Sequence, residues 1–311
     1  MKILVTGGAG YIGSMVVGTL LDKGYEVVVV DNFMYGQTSL SHLIHNPKLT
    51  LVFGDIRDKS LMTKLLSQVE VVLPLAAIVG APACDKDPVS AKEINNTSMI
   101  WMFKQLSRDQ IVIMPTTNSA YGQGGDGNFC DESSPLNPLS LYARDKVEVE
   151  QSLMSLPNAT SFRLATVFGI SPRMRLDLLV NNFAFRALTD GFLVVFEGHF
   201  KRNYIHVRDV VAAFLLALEN PSKFAGEVFN VGLSSANISK LELCELIKSQ
   251  IAPKFSFLED SFGKDPDQRN YLVSNTKIEN YGFSPRVSLE EGLNEIKNGY
   301  KMFLQRQYVN A

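Results

Sequence analysis

The fold is decided by the stretch Thr6-Gly7-Gly8-Ala9-Gly10-Tyr11-Ile12-Gly13, which joins a short apolar segment to a longer amphipathic one. Residues 2–6 are typical of a buried strand, and residues 11–23 are typical of a helix that Gly24 ends. Glycines at such a junction let the backbone turn sharply and approach a phosphate, while the helix N-terminus supplies N–H groups and a favourable dipole. In this context the spacing G-x-x-G-x-x-G predicts a site for a dinucleotide diphosphate, formed by Gly7, Gly10, Tyr11, Ile12 and Gly13.

The segments that follow alternate between strand-like and helix-like patterns. Further strands are predicted at residues 26–31, 49–53, 70–75, 111–114 and 159–165. Helices are predicted between them, among them a long one at residues 89–107. This alternation predicts an α/β fold with a doubly wound parallel sheet of the Rossmann type. Right-handed crossovers then place the carboxyl ends of the strands along one edge of the sheet.

The pattern changes beyond Gly169, which indicates a second, smaller part of the molecule. A helix is predicted at residues 177–189, whereas the helix predicted at residues 207–219 and the strand at 227–231 return to the sheet. The two parts are therefore expected to be interleaved. We predict a dinucleotide-binding domain at residues 1–168 and about 204–232, and a mixed α/β substrate lobe at about 169–203 and 233–311.

Composition limits the possible partners. The chain has 311 residues, 46% of them hydrophobic and 20% charged, as is ordinary for a globular protein, and its formal net charge of -2 gives no reason to expect nucleic acid or an anionic membrane as a partner. Cys84, Cys130 and Cys244 are far apart, which favours a reducing compartment and neither a disulfide nor a metal site. Glycines interrupt the first apolar run, so the cytoplasm is the expected location.

Asp31 closes the second predicted strand, at the edge where the ligand is expected. A carboxylate there accepts hydrogen bonds from the hydroxyls of an adenosine ribose and repels a 2′-phosphate. No arginine occurs between residues 1 and 56. The cofactor is therefore predicted to be NAD and not NADP, with Asn32 in the same site.

Two later strand ends are expected to complete the cofactor site. Asp55 and Ile56 follow the third strand, where Asp55 either hydrogen-bonds the adenine amino group while Ile56 packs on the ring, or caps the next helix. The stretch Leu75-Ala76-Ala77 follows the fourth strand, where small residues let the backbone run close to a flat ring.

A phenol and an ammonium are predicted to share one helix face in the stretch Ser140-Leu141-Tyr142-Ala143-Arg144-Asp145-Lys146. Tyr142 and Lys146 are about one helical turn apart. A cation close to a phenol favours the phenolate, so Lys146 is expected to lower the pKa of Tyr142 from its reference value of about 10. Tyr142 would then act as an acid or base near neutral pH.

Together these motifs resemble the extended short-chain dehydrogenases/reductases and, within them, the NAD-dependent nucleotide-sugar epimerase/dehydratase family. The resemblance covers most of the chain. It rests on the glycine turn, Asp31, Asp55, Leu75-Ala76-Ala77, Thr116-Thr117-Asn118-Ser119-Ala120-Tyr121-Gly122, Tyr142 with Lys146, and Arg202-Asn203-Tyr204-Ile205-His206-Val207, in this order.

The resemblance implies oxidation of a sugar alcohol. Tyr142 matches the family's catalytic base, Lys146 the lysine that holds the nicotinamide ribose and lowers the pKa of the tyrosine, and Thr117 the catalytic Ser/Thr. The family's 4,6-dehydratases carry an Asp-Glu pair after the threonine, where this chain has Asn118 and Ser119. Since an amide and a hydroxyl cannot replace that acid and base, oxidation at C4 is expected without dehydration, in a 4-epimerase or a 4-dehydrogenase.

The resemblance also implies binding of a UDP-, GDP- or CDP-linked hexose or heptose. Asn182, with Asn181 as its competitor, and Arg202 match residues that contact the diphosphate. Either Arg269 or Lys264 is expected to be a second clamp, with Arg269 preferred. The remaining expected substrate contacts are Asn118, Ser119, Arg173 and Arg175, the two arginines in a sugar-facing loop.

Family analogy further implies a homodimer, in which helices at about residues 89–107 and 142–156 form a four-helix bundle with those of a second copy. Two alternatives to the epimerase stay open. One is a 4-dehydrogenase that releases the keto sugar. The other is a non-catalytic NAD(H) sensor or scaffold, although such a protein has no need of Thr117, Tyr142 and Lys146 together.

Overall fold

The computed structural model describes residues 1–124, 129–260, 262 and 269–304. The strands in this part of the chain are β1 (Lys2–Thr6), β2 (Glu26–Asp31), β3 (Leu49–Phe53), β4 (Val71–Pro74), β5 (Ile111–Thr117), β6 (Phe129–Cys130), β7 (Ala159–Leu164), β8 (Thr166–Phe168), β9 (Phe192–Phe196), β10 (Lys201–His206), β11 (Glu227–Val231), β12 (Asn237–Ser239), β13 (Ser256–Asp260) and β14 (Leu272–Val273).

The helices of the same residues alternate with these strands. The α-helices are α1 (Tyr11–Asp22), α2 (Lys59–Leu66), α3 (Ala81–Lys86), α4 (Pro88–Lys92), α5 (Ser98–Phe103), α6 (Leu141–Leu153), α7 (Leu179–Thr189), α8 (Val207–Glu219), α9 (Pro221–Phe224), α10 (Lys240–Gln250), α11 (Thr276–Asn280) and α12 (Leu289–Gly299). Short 3-10 helices lie at Ser41–Leu43, Asn118–Tyr121 and Tyr300–Phe303, and a π-helical segment lies at Glu93–Thr97.

Seven of the described strands form one parallel sheet in the order β11-β7-β5-β4-β1-β2-β3. The chain order reverses between β1 and β4, so the carboxyl ends of these two strands open a crevice where such sheets bind ligands. One face packs against α1 and α8, and the other against α2, α5 and α6, each through a cluster of buried aliphatic side chains. The predicted doubly wound sheet is confirmed.

A smaller, mixed α/β part lies beside the carboxyl edge of the sheet. Strand β10 pairs in parallel with β8 and antiparallel with β12, while β13 pairs in parallel with β9. Helices α7, α10 and α12 enclose a separate apolar core that includes Phe168, Tyr204 and Phe255. The assignment of residue ranges to two domains stays a prediction.

The strand predicted at residues 159–165 is present as β7, but the sequence did not predict that a second strand, β8, follows it directly in another sheet. The N–H of Ala165 donates to the Val231 carbonyl oxygen at 2.9 Å, which is the last bond to the large sheet. Residues Thr166–Phe168 then leave that sheet and pair with β10. A run of apolar residues does not show which partner strand each residue meets, so the division was not visible in the sequence.

The predicted long helix at residues 89–107 is interrupted. Helices α4 and α5 flank the π-helical segment Glu93–Thr97, and α5 ends at Phe103. A π-turn inserts one residue into the helix and rotates the side chains that follow, and such turns often occur at functional sites. Here the segment brings the buried side chain of Asn95 against the loop after β4.

Strand β5 is longer than predicted and carries the chain to Thr117. Residues 115–138 therefore contain the end of a strand, a 3-10 turn and β6, with residues 125–128 outside the described part. None of the described helices combines the length and apolar character needed to cross a bilayer. Within the same residues, His, Cys, Asp and Glu side chains form no cluster that would bind a metal ion.

Candidate active site

A cavity of about 460 Å³ lies along the carboxyl ends of β1, β2, β4 and β5 and extends under residues of the smaller part. Most residues predicted for the site line it. They are Gly7, Gly10, Tyr11, Ile12, Gly13, Asp31, Asn32, Asp55, Ile56, Leu75, Ala76, Ala77, Thr117, Ser119, Tyr142, Lys146, Arg173, Arg175, Arg202 and Arg269. Asn118, Asn181 and Asn182 are not part of its wall.

The glycine turn has the geometry of a diphosphate cradle. Gly7 has a φ of +65°, and a Cβ atom there would lie 2.7 Å from the backbone of Ala76. A Cβ on Gly13 would lie 2.3 Å from the Gly7 carbonyl oxygen. Helix α1 begins after Gly10 without a side-chain cap, so its first N–H groups face the cavity without an intrahelical acceptor. The residues present therefore fit the diphosphate of NAD.

The Asp31 carboxylate is held at the end of β2 by three donors. It accepts hydrogen bonds from the N–H of Ala9 at 3.0 Å, the N–H of Phe33 at 2.8 Å and the side-chain amide of Gln37 at 3.2 Å. Burial raises the pKa of Asp31, and these hydrogen bonds oppose that shift. Remaining lone pairs are available for ribose hydroxyls. Gln37 was not predicted, because no spacing rule connects it to Asp31.

Asp55 does not cap the next helix, since the N-cap of α2 is Asp58. The Asp55 carboxylate accepts hydrogen bonds from both Nε and Nη2 of Arg57, each at 2.9 Å, and from the Asn32 amide at 3.0 Å. The Arg57 guanidinium holds the pKa of Asp55 at about 2. Asp55 thus remains an acceptor at the far end of the cavity over the working pH range, as contact with an adenine amino group requires.

The loop after β4 is fixed by two buried polar groups. The Ala76 N–H donates to the Thr6 hydroxyl at 3.1 Å. The Asn95 side chain accepts from the Ile78 N–H and donates to the Ile78 carbonyl oxygen, both at 2.8 Å. Asn95 is fully buried and reaches this loop from the π-helical segment. The backbone of Leu75-Ala76-Ala77 is thereby held along the cavity floor.

Tyr142 and Lys146 lie on one face of α6 and both line the cavity. Ser140 caps this helix by accepting a hydrogen bond from the Ala143 N–H at 3.2 Å. The Lys146 Nζ atom is 6.0 Å from the centre of the Tyr142 ring, and Lys146 is 3% exposed. The predicted placement of a phenol and an ammonium on one helix face is therefore what the structure contains.

Lys146 was expected to lower the pKa of Tyr142, and the structure contradicts this expectation. Burial raises the pKa of Tyr142 to about 12, and the charges of Arg175 and Arg269 oppose the shift. Burial likewise lowers the pKa of Lys146 to about 8. The physical reason is that burial removes water from both groups, which disfavours the charged form of each.

Thr117 is the last of three side chains, with Arg269 and Ser119, that are connected by short polar contacts. Its Oγ1 atom is 2.6 Å from the Ser119 Oγ, and the Ser119 N–H donates to Thr117 Oγ1 at 3.1 Å. The Arg269 Nη1 donates to the Ser119 Oγ at 2.6 Å. Arg269 was predicted to clamp a diphosphate, and in this structure its guanidinium lies beside the predicted reacting group. The competing candidate, Lys264, lies outside the described residues.

Three predicted substrate contacts occupy other positions. Asn118 is 1% exposed and is not among the residues that line the cavity. The Asn181 side chain is used internally, because it accepts from the Gly169 N–H at 2.9 Å and donates to the Arg175 carbonyl oxygen at 2.9 Å. Asn182 is half-buried on α7 and contributes no lining atom. Neither asparagine of the pair therefore touches the cavity in this conformation.

The two arginines of the predicted sugar-facing loop diverge. Arg175 donates to both oxygens of Asp177, from Nε at 3.1 Å and from Nη2 at 2.5 Å, beside Tyr142. Arg173 instead lies with its guanidinium 4.9 Å from the centre of the Tyr35 ring, at the Asp31 end. The contact of Arg173 with Tyr35 was not expected from the sequence, and its predicted contact with the sugar stays a prediction. Tyr35 and Asp177 were not predicted.

Arg202 and His206 are both buried on β10. Arg202 lines the cavity, as expected for a diphosphate contact. His206 caps α8 by accepting from the Arg208 N–H at 3.2 Å, and its Nε2 lies 3.2 Å from a Glu295 oxygen. Burial lowers the pKa of His206 to about 4, so the ring is neutral and orders the backbone. Cys84 is buried near Tyr142, and burial raises its thiol pKa to about 11.

A family model with the description "NAD dependent epimerase/dehydratase family" matches residues 3–232. At the level of sequence, the chain is 30% identical to a putative UDP-glucose 4-epimerase from Methanocaldococcus jannaschii, over 96% of this chain and 98% of that one.

Two solved structures are similar over nearly their whole length. One is the UDP-glucose 4-epimerase of Thermotoga maritima with UDP-glucose, with a TM-score of 0.85 and 29% identity over 98% of this chain and 100% of that one. The other is the UDP-glucuronic acid 4-epimerase of Bacillus cereus in complex with UDP-glucuronic acid and NAD, with a TM-score of 0.86 and 26% identity over 97% and 100%.

Proposed function

The chain belongs to the NAD-dependent epimerase/dehydratase family, and from that premise we propose that it inverts C4 of a nucleotide-diphosphate sugar, as a 4-epimerase. The resemblance noted in the sequence is thus confirmed at the level of the family, and the protein is an NAD-binding enzyme. The choice of C4 inversion among the reactions of the family is our proposal.

One observation carries this choice. Thr117, Tyr142 and Lys146 line the same end of the cavity, and no described carboxylate in its wall is available there as an acid or base. Asp31 and Asp55 lie at the opposite end, and Asp177 is held by Arg175 through both oxygens. Dehydration needs an acid and a base in addition to the tyrosine, so this arrangement favours a reaction that begins and ends with a single alcohol.

In the proposed mechanism Tyr142 accepts the proton of the C4 hydroxyl and later returns it. Thr117 hydrogen-bonds the same sugar oxygen, and the hydroxyl of Ser119 positions Thr117 at 2.6 Å. Lys146 holds the nicotinamide ribose and stabilises negative charge on Tyr142. The chemistry that NAD supplies when bound is acceptance of a hydride from C4 and, in an epimerase, its return to the opposite face.

The pKa of Tyr142 shows that this mechanism requires positive charge near the phenol. Tyr142, with a pKa raised to about 12 by burial, is not a base at neutral pH until further positive charge reaches it. Lys146, Arg175 and Arg269 supply cations around the phenol, of which the last two already lower its pKa. Lys146, Arg175 and Arg269 are the residues of this chain that would stabilise a negative charge on Tyr142 when it accepts the proton.

For the substrate we propose a UDP-linked hexose or uronic acid, because both similar structures were solved with UDP-sugars. Arg202 is the proposed diphosphate contact. Arg269 is proposed to stay at the sugar end with Ser119, or to move to the diphosphate when substrate binds. We also propose a homodimer formed by α4, α5 and α6 with the same helices of a second copy, which light scattering during gel filtration tests.

The deciding experiment incubates the purified protein and NAD with UDP-, GDP-, CDP- and dTDP-sugars and follows the products by mass spectrometry and NMR. We expect unchanged mass with inverted C4 stereochemistry. A loss of two mass units would identify a 4-dehydrogenase, a loss of water a dehydratase, and a loss of carbon dioxide a decarboxylase. NAD binding without turnover of any sugar would favour the sensor or scaffold alternative.

A further inference from the structure

The segment at residues 169–177, here called the strap, crosses from the smaller part onto the glycine turn. The Tyr11 hydroxyl donates to the Gly169 carbonyl oxygen at 2.7 Å, and the Ser171 hydroxyl donates to the Tyr11 carbonyl oxygen at 2.7 Å. Ser171 Oγ also lies 3.1 Å from the Ser14 Oγ. The strap is therefore attached to the residues that open α1, where the diphosphate of NAD is expected.

Alternate residues of the strap face in opposite directions. Met174 and Leu176 are buried in an apolar cluster with Tyr11 and Val207, whereas Arg173, Arg175 and Asp177 line the cavity. Moving the strap away would expose both apolar side chains to water, which is unfavourable. The strap is thus a fixed part of the cavity wall, and its arginines are presented to the ligand on a rigid backbone.

Arg173 is directed to the adenosine end. Its guanidinium stacks 4.9 Å from the Tyr35 ring centre, in the loop that follows Asp31, and the side chain is only 4% exposed. Its Nη1 atom donates to the Met174 carbonyl oxygen, which fixes the plane of the guanidinium. The Ser171 anchor is two residues away, so Arg173 is within about 7 Å of chain from the glycine turn. Arg173 therefore lies between the expected positions of the diphosphate and the ribose.

We infer that Arg173 binds the adenosine half of NAD, and that the strap retains the cofactor between turnovers. A guanidinium in this place offers charge-assisted hydrogen bonds to diphosphate and ribose oxygens, on the side opposite the helix N-terminus. The ligand is then enclosed by groups from two distant parts of the chain. This inference depends on NAD binding and not on which sugar is oxidised, so it stands or falls separately from the proposed function.

The first test compares Arg173→Met with Arg186→Met, a matched change at an exposed arginine of α7. Affinities for NAD, ADP-ribose and UDP are measured by calorimetry. We expect Arg173→Met to weaken NAD and ADP-ribose about 10-fold to 100-fold, the usual worth of one or two charge-assisted hydrogen bonds, and to change UDP affinity less than about twofold. The Arg186→Met protein should match the wild type.

Two results would overturn this assignment. Unchanged NAD and ADP-ribose affinity would remove Arg173 from the cofactor site. A loss confined to UDP would place it on the sugar nucleotide, as the sequence alone suggested. If Arg173→Met does not fold, as judged by circular dichroism, Arg173→Gln retains a polar end group and is judged by the same criteria.

The second test concerns retention and uses Ser171→Ala, which removes an anchor of the strap and leaves Arg173 in place. NADH dissociation is followed by the change in cofactor fluorescence after mixing with excess NAD. We expect dissociation to be about threefold to tenfold faster than in the wild type, since one buried hydrogen bond is lost. An unchanged dissociation rate would overturn retention by the strap without affecting the assignment of Arg173.

Discussion

The two ends of the cavity hold their polar groups in opposite ways. At the adenosine end the carboxylates of Asp31 and Asp55 are surrounded by donors, and Asp55 has a pKa held at about 2 by Arg57. At the reacting end burial raises the pKa of Tyr142 to about 12 and lowers that of Lys146 to about 8. The carboxylates of the first end are paired with donors, although burial still raises the pKa of Asp31, whereas burial disfavours the charged forms of both Tyr142 and Lys146 at the second end.

This difference indicates which functional groups lower the stability of the folded protein. Groups at the adenosine end stabilise the fold and recognise a ligand at once. Those at the reacting end are kept in a poorly solvated environment, which becomes favourable only when the charges of cofactor and substrate arrive. Mutations at the two ends should therefore change the free energy of unfolding in opposite directions.

The largest expected effect is on the rate at the reacting end. Tyr142→Phe removes the proton acceptor and retains the ring, so we expect kcat to fall about 10³-fold with the free energy of unfolding changed by less than about 1 kcal/mol. The measurement is the nucleotide-sugar assay together with urea unfolding. Tyr281→Phe, outside the cavity, is the control. Turnover by Tyr142→Phe at the wild-type rate would contradict the mechanism.

The next effect is a gain in stability. The pKa of Lys146 is about 8 in the folded chain and 10.5 as the reference value, so the unfolded chain binds more protons between these pH values. The cost of burying the ammonium is complete below pH 8 and disappears as the pH rises through 10.5. We expect Lys146→Met to stabilise the ligand-free protein by about 1 to 3 kcal/mol at pH 7 while abolishing turnover.

Urea unfolding at pH 7 and pH 10 measures this gain, which should shrink at the higher pH. Lys64→Met, an exposed position on α2, serves as the matched control and should change stability by less than about 0.5 kcal/mol. If the Lys146→Met protein is less stable than the wild type at pH 7, burial of the Lys146 ammonium does not destabilise the fold.

The smallest effect is expected at the adenosine end. The folded pKa of Asp55 lies below the reference value of 3.8, so its stabilisation is present above pH 3.8 and is lost as the pH falls through about 2. We expect Asp55→Asn to destabilise the protein by about 1 kcal/mol at pH 7, since the side chain is partly exposed and solvent screens the pair.

The difference between Asp55→Asn and the wild type should narrow between pH 7 and pH 3 in urea unfolding. Asp22→Asn, at the exposed end of α1, is the matched control and is measured at the same pH values. A destabilisation that stays constant over this pH range would mean that shape, and not charge, is what Asp55 contributes.

The sequence predicted the adenosine end better than the reacting end, for a physical reason. The glycine turn, Asp31 and Asp55 follow consecutive strands, so local patterns and one rule about parallel sheets place them together. Arg173 and Arg175 both line the cavity, but Arg173 packs on Tyr35 whereas Arg175 pairs with Asp177, a difference that no periodicity in the sequence revealed. The absence of arginine in residues 1–56 also did not indicate that Arg173, from a distant segment, packs on Tyr35 in the loop after Asp31.

The pKa values of the groups at the reacting end could not be predicted from the sequence either. The spacing of Tyr142 and Lys146 gave their common face correctly, but a pKa depends on lost water and on distant charges such as Arg269, which approaches only in the folded chain. The surroundings of Asn181 and Asn182 could not be predicted for a related reason. Both lie in α7, and the contacts of Asn181 with Gly169 and Arg175 exist only once the strap is folded against the helix.

The departure of the chain from the large sheet at Ala165 has a consequence for recombination. The chain leaves the sheet there, comes back at α8 and β11, and leaves again after Val231, so each half of the molecule is assembled from separated segments. A single crossover between two relatives would join strands of one parent to packing partners of the other. Functional chimaeras should therefore need two coordinated junctions, one near residue 165 and one near the start of α8.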